Sequence, residues 1–380
     1  MGNYRSFVMI DFLFICIICL FSLQSLAQSE LIDPLPNKTF SFQFDEILGT
    51  ENDLVFSQVS NGVMFASQGV NHRTNELLLT KINLDSSITF NFKLEFSDSY
   101  SLDFRSANFS DLKIWNDSTL IGIFDEKVYK LDLATRSVLN LNIVATEFSA
   151  LNITGSDTIL FVRSNIFNGV PRYFLETFSI AKKQTLKHIE FFSWPEMFLS
   201  VMRNEIVCSN GRYHCAVEVS EPKIHIFNND LYEIQVLELH DKALKSATDV
   251  FKSEKARRRI NESGFDGMFS LLKDEGVNKS VNLSFLNDST ICYVGFHFEG
   301  DKAISQLFIF QLGSDRIWRQ INESQAILNF PVKGSNCQVI NLIGSNYFIA
   351  SDRLVVFENI WNEKLQKMEA KVEIYNFNFD

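Results

Sequence analysis

Hydrophobic and polar positions alternate along much of this chain, and few stretches follow a helical period. Phe40, Phe42 and Phe44 are separated by Ser41 and Gln43, and Val128-Tyr129-Lys130-Leu131-Asp132-Leu133 has the same rhythm. A period of two predicts strands. Other runs, such as Ile159-Leu160-Phe161-Val162, are continuously apolar. They predict strands covered on both faces.

Short polar turns punctuate these runs: Asn61-Gly62, Asn116-Asp117-Ser118-Thr119, Gly155-Ser156-Asp157-Thr158, Asn210-Gly211, Asn287-Asp288-Ser289-Thr290 and Gly344-Ser345-Asn346. Asn, Asp and Gly suit such turns because they tolerate left-handed backbone and bond to their own main chain. Each turn sits between the first two strands of a unit that continues into a third and a fourth. The second unit predicts strands at 109–115, 120–124, 127–133 and 138–143. The fourth predicts 204–208, 213–219, 223–227 and 232–239, and the fifth 281–286, 291–296, 307–312 and 317–321. Such a repeat predicts an all-β, six-bladed β-propeller, with a pair of β-sandwiches as the alternative. The ring is expected to close by an early strand, 39–45, lying beside 372–379.

The Asn-Asp-Ser-Thr turns carry a family resemblance, as does the run from Asn210-Gly211-Arg212-Tyr213 through Glu221-Pro222-Lys223-Ile224-His225-Ile226-Phe227. The chain resembles the TolB-like and NHL-like six-bladed propellers of secreted bacterial proteins over roughly residues 39–380. The resemblance implies that fold and an extracytoplasmic setting. It implies no catalytic residue, because those propellers share none.

Residues 1–27 read as a cleaved secretory signal, and 28–380 as a single domain. Arg5 precedes an apolar run, and Ser25-Leu26-Ala27 supplies small residues at −3 and −1 before Gln28. The uninterrupted core, 12–23, is shorter than the roughly 20 residues that span a bilayer. No other stretch reaches that length, so the mature chain is expected to have no transmembrane span and a periplasmic or secreted location. Removing Arg5 and Asp11 leaves the net charge at −11.

That acidity argues against nucleic acid as a partner, since phosphate neutralisation requires surplus Lys and Arg. The 37 phenylalanines suit the apolar strands that pack between blades. Cys208, Cys215, Cys292 and Cys337 are too few for a disulfide framework and are expected to be buried thiols. A two-residue turn at Asn210-Gly211 sets Cys208 opposite Tyr213 and Cys215 opposite Ile206, which leaves the two sulfurs diagonal.

Strand alternation places the fourth-to-first connections and second-to-third turns at one end of the blades. The first-to-second turns lie at the other. The long connections, 97–108, 193–203, 240–280 and 322–335, therefore gather on one face. Long loops in a compact fold commonly carry function. The longest, a helical insertion at about 240–279 between blades four and five, predicts two helices. One is capped by Asp241 and stops at Ser263-Gly264, and the other starts at Asp266. Its Lys255-Ala256-Arg257-Arg258-Arg259 cluster reads as an anion-docking patch or a solvated helix face.

Candidate ligand-binding groups are Arg73, Arg163, Arg172, His297 and Arg353, in or beside second-to-third turns, with Lys127, Lys223 and Lys302 as further basic groups. Converging on the axis, they would suit a carboxylate, sulfate or uronate. Trp194 and Glu196, in a long connection, suit a sugar ring and its hydroxyls, or else pack against a neighbouring blade. The six histidines show no metal-ligand spacing, and no nucleophile elbow, phosphate loop or paired-carboxylate motif occurs. No cofactor and no metal are expected. Nine Asn-X-Ser/Thr sequons occur, Asn116 and Asn287 among them, and both are also explained by turn chemistry. The expected function is binding of a small anionic or carbohydrate ligand, or a protein partner, on the long-loop face. The alternative is a propeller-scaffold enzyme, either a lactonase-like hydrolase or a polysaccharide-cleaving enzyme.

Overall fold

The structure, a computed structural model, describes residues 36–43, 55–57, 59–71, 74–97, 109, 111–145, 150–167, 170–193, 207–218, 223–239, 250, 253–275, 279–299, 302–321, 325–331, 347–350, 353–362 and 367–376. The leader, Arg73, Trp194, Glu196, Cys337 and most of the long connections lie outside them. Among the described residues, no helix is long and apolar enough to cross a membrane.

The strands form antiparallel meanders in chain order. The first is β2 (Val55–Phe56), β3 (Val63–Asn71), β4 (Glu76–Asn83) and β5 (Ile88–Phe96). The second is β6 (Asp111–Asn116), β7 (Thr119–Phe124), β8 (Lys127–Asp132) and β9 (Ser137–Val144). A short parallel contact, Glu95↔Ser137 and Phe96↔Val138, joins these two meanders at their outer strands. The third comprises β10 (Ala150–Ile153), β11 (Thr158–Phe167), β12 (Val170–Ser179) and β13 (Gln184–Ser193). The fourth comprises β14 (Val207–Ser209), β15 (Tyr213–Glu218), β16 (Lys223–Asn228) and β17 (Glu233–Glu238).

After helix α1 (Glu254–Glu275) come β18 (Lys279–Asn287), β19 (Thr290–Glu299), β20 (Lys302–Leu312) and β21 (Trp318–Gln320). The outer edge of β20 is shared: β21 pairs with its end, and β22 (Gln325–Pro331) pairs with its beginning. Part of the connection predicted at 322–335 is therefore strand. The last sheet joins β23 (Tyr347–Ala350), β24 (Arg353–Asn362) and β25 (Lys367–Asn376) to β1 (Lys38–Gln43) from the start of the chain. Phe40 pairs with Val372 and Phe42 with Ala370, so the two ends of the fold share one sheet, as the sequence predicts.

Successive first strands lie side by side: β2 with β6, β6 with β10, β10 with β14, β14 with β18, and β18 with β23. Between sheets, alternate side chains of one strand enter different cores. Met64 and Ala66 pack with Val355, Phe357, Ala370 and Val372 of the last sheet. Phe65, between them in sequence, packs toward Phe109, Leu120 and Phe124 of the second. Strands buried on both faces have no polar side to show, which accounts for their continuous hydrophobicity. The phenylalanine excess is spent here: Phe109–Phe124 and Phe96–Phe124 rings lie 5.3 and 5.7 Å apart, with Tyr129 edge-on to Phe124 at 5.9 Å.

Turn chemistry repeats with the sheets. Asn116 Oδ1 accepts from Ser118 N and Oγ at 3.0 and 3.2 Å. Asn287 does the same with Ser289 at 2.9 and 3.0 Å. Asn61 and Gly62 both have positive φ, 50° and 69°, as a two-residue hairpin turn requires. The turn predicted at Asn210-Gly211 lies one residue further on. Asn210 N donates to the Tyr213 carbonyl at 3.2 Å, and Asn210 Oδ1 accepts from Arg212 N and Tyr213 N at 3.0 and 2.8 Å, so the tip is Gly211-Arg212. This moves the register, so Cys208 faces Cys215 directly and not Tyr213.

Candidate functional site

Among the described residues, the basic candidates Arg163, Arg172, His297 and Arg353 lie on β11, β12, β19 and β24. Arg163, on β11, holds Glu176 of β12 at 2.8 Å and lies 5.6 Å from the Phe161 ring centroid. Arg172, on β12, faces Glu190 of β13 at 3.3 Å, with both side chains about half exposed. His297 is not in a turn; it lies within β19 opposite Ile304 and is only 3% exposed. Arg353 is a correction of position. It opens β24, at the end carrying the first-to-second turns, and pairs with Asp85 in the turn after β4 at 2.7 Å. Long-range pairing of a surface arginine leaves no local signal, so its spacing from a turn was misleading.

Two further strand histidines are partnered, while His188 on β13 is exposed. His225 Nδ1 meets Glu233 Oε2 at 2.6 Å. His214 Nδ1 lies 2.9 Å from Ser209 Oγ, in the same hairpin. Burial, and secondarily the Lys187 ammonium of the third sheet, hold the His214 pKa down at about 4. Lys187 itself pairs with Asp230 in the turn after β16, which ties the third sheet to the fourth. A neutral histidine hydrogen-bonded to a serine inside a tight hairpin is a structural element, since substrate has no access to it.

Three thiols meet where the fourth sheet packs on the next. Cys208, Cys215 and Cys292 are all buried. Burial pushes the Cys215 and Cys292 thiols up, so they are poor nucleophiles. Tyr213 and Trp318 stack edge to face at 5.8 Å in the same core. Gln235 exchanges two hydrogen bonds with the Trp318 backbone, 2.8 and 2.9 Å, which joins the outer strands.

Helix α1 occupies the long connection between β17 and β18 and packs on β19. It does not run straight. A straight helix would hold Lys255 and Glu275 about 30 Å apart, yet their ion pair measures 3.4 Å. Arg259 meets Asp274 at 2.7 Å, and a Cβ on Gly267 would lie 2.4 Å from the Arg259 carbonyl oxygen. The segment therefore doubles back between Arg259 and Gly267, a span containing the predicted Ser263-Gly264 stop. Most of the basic cluster is spent on this: Lys255 and Arg259 close the hairpin, and Arg258 pairs with Glu262 at 3.1 Å.

A cleft of about 520 Å³ opens between the second and third sheets, at the end bearing the tight first-to-second turns. Trp115, Asn116, Thr119 and Lys130 line one side, and Ile153, Gly155 and Ser156 the other. Deeper between the same sheets, Asp111 Oδ2 accepts from Leu151 N at 2.9 Å, and its Oδ1 lies 3.1 Å from the buried Lys113 ammonium. No local motif marks this cleft, because its lining comes from two units. The turn motifs, taken alone, explained Asn116 and Ser156.

No family model and no curated protein sequence matches the chain. Among solved structures it is similar to a member of the DUF4221 family from Bacteroides vulgatus, with TM-score 0.50 and 10% identity, over 90% of this chain and 98% of that one. The β-propeller domain of Nup133 from Vanderwaltozyma polyspora has TM-score 0.40 and 11% identity, over 92% of each chain. TolB from Acinetobacter baumannii has TM-score 0.36 and 12% identity, over 82% of this chain and 65% of that one. At such identities the likeness is one of fold alone. The chain has a nearly all-β, propeller-like fold.

Proposed function

We propose that this is an extracytoplasmic six-bladed β-propeller of TolB-like type whose work is binding. The blades are the five consecutive meanders that begin at β2, β6, β10, β14 and β18, with the β23–β25 sheet completed by β1 as the sixth. Cleavage after Ala27 delivers the mature chain. The long-loop face receives a small anionic or carbohydrate ligand or a protein partner. What supports this reading is α1: the longest connection carries a compact helical hairpin cross-linked by Lys255–Glu275 and Arg259–Asp274. Ordering 22 residues for a mere connection is entropically costly, so a built hairpin at that end favours a recognition role. The alternative, a lactonase-like or polysaccharide-cleaving enzyme, requires three or more carboxylates, histidines or amides converging at the channel mouth.

Thermal-shift titration of the mature protein against glycans, organic acids and divalent cations tests the reading. A saturable stabilisation that is lost when residues 254–275 are replaced by a short linker supports it. Turnover of a lactone or polysaccharide by the same protein would replace it with the enzymatic alternative.

A further inference from the structure

The cleft between the second and third sheets lies at the opposite end from α1, and its chemistry is one-sided. Each of its polar side chains, from Asn116, Thr119, Lys130 and Ser156, can donate hydrogen bonds, and among the described residues no carboxylate lines it. Asn116 Oδ1 is already occupied by Ser118, which leaves its amide nitrogen to face a ligand. Lys130 is half-buried and forms no ion pair among the described residues. It influences Asp132, whose carboxylate already accepts from the Ala134 and Thr135 amides at 3.0 and 2.9 Å. A cation in a recess without a close ion-pair partner favours an anion. Trp115 is held in place by packing against the core shared by the two sheets, and its remaining surface lines the cleft. An indole in that setting takes the apolar face of a ring. The volume, about 520 Å³, lies in the usual range for small-molecule sites.

We propose that this cleft is a binding site for an acidic sugar, with the ring against Trp115 and the carboxylate or sulfate on Lys130. Hydroxyl groups of the ligand accept from Asn116 and Ser156. The site is separate from the long-loop face and stands or falls without it.

Gly155 provides a clean test. A Cβ built there meets no atom within 4 Å, so a side chain starts without a clash, and Gly155→Phe adds a ring to the lining of the cleft. Calorimetric titration of the mature protein with glucuronate, digalacturonate, a sulfated disaccharide and neutral cellobiose measures the preference. The acidic sugars are expected to bind saturably, and cellobiose at least about tenfold more weakly. Gly155→Phe and Lys130→Gln should each weaken the acidic ligand about tenfold or more, with unchanged melting curves. Arg258→Gln, on α1, should leave binding unchanged. If Gly155→Phe fails to fold, Lys130→Gln carries the test alone. The uronates and the sulfated sugar separate carboxylate from sulfate recognition. Three results would overturn the proposal: no saturable binding of any acidic sugar up to about 10 mM, binding indifferent to both cleft variants, or cellobiose bound as tightly as the uronates.

Discussion

Arg353 Nη1 donates to Asp85 Oδ1 at 2.7 Å across 268 residues of chain, and so ties the last sheet to the first. Lys38 adds a second tie, donating its ammonium to the Leu84 carbonyl at 2.8 Å. Beneath both lies the apolar seam in which Phe42, Val372 and Ile374 meet Met64, Ile82 and Leu84.

The seam, not the ion pair, should carry the closure. Phe42→Ala removes a nearly buried ring and is expected to cost about 3 kcal/mol. Arg353→Ala breaks a solvated pair, with Asp85 61% exposed, and should cost less than about 1 kcal/mol. Urea unfolding of the two variants checks the ranking. A larger loss for Arg353→Ala would mean that electrostatics closes the ring.

His214 should make the fold acid-sensitive. Its pKa of about 4 in the fold lies below the ordinary 6.5, so the unfolded chain binds the proton more tightly. Above pH 6.5 the residue has no effect. As pH falls from 6.5 toward 4 stability is lost, by about 3 kcal/mol in full. His214→Gln should flatten the difference between unfolding free energies at pH 7 and 4.5. Equal pH slopes in the variant and the parent would refute the assignment.

Gly267 should govern the α1 hairpin. Any Cβ there collides with the Arg259 carbonyl, and backbone yields little. Gly267→Ala is expected to open the fold-back while the sheets persist. Hydrogen exchange should then accelerate within 254–275 and stay slow in β19. Unchanged protection of the hairpin would show that the segment is not folded back.

The thiols should be silent in the native protein. Cys215 and Cys292 are fully buried, so alkylation at pH 8 should be slow and become rapid in denaturant. Peptide mass spectrometry distinguishes them from Cys337. Fast native labelling of either would contradict the packing of the two sheets.

The turns after the third strands suggest a stabilising change. Ser87, Arg136, Lys183 and Arg316 each end such a turn with φ of 59°, 53°, 52° and 63°. Left-handed backbone costs an L-residue roughly 1 kcal/mol. Lys183→Gly should therefore be neutral or stabilising by up to about 1 kcal/mol, and Lys183→Val destabilising. A Val variant as stable as the parent would exclude the left-handed turn.

The repeat was readable because its signals are local. Asn116 and Asn287 bend the chain by bonding Ser118 and Ser289, two residues onward, so the motif and the geometry coincide. The alternation of Phe40 and Phe42 likewise announced a strand before its partner was known. The turns ending at Arg136 and Lys183 repeat as faithfully, yet arginine and lysine give no hint of left-handed backbone. The candidate site was less legible for the same reason in reverse. Arg353 looked like a mouth residue until Asp85 claimed it, and Lys130 looked like an ordinary strand lysine until the third sheet left a cleft beside it. Asn282, in a sequon, is only 2% exposed and unavailable to a glycan in the folded chain. Its sequence neighbours could not reveal this.

By itself the sequence determined what depends on neighbours within a few residues: strand periodicity, the places where the chain turns, and strands apolar enough to need cover on both faces. Tertiary structure alone decided what depends on pairs far apart in the chain. It set Cys208 against Cys215 because the hairpin tip fell one residue later, folded α1 back through Gly267, and gave Arg163, Arg172 and Arg353 their acidic partners. Side-chain contacts between sheets are chosen by how whole sheets pack, and a register shift of one residue turns every side chain to the other face. Local pattern thus predicts strands and the apolar seams between sheets, while the cleft with Trp115 and Lys130 exists only once two sheets stand side by side.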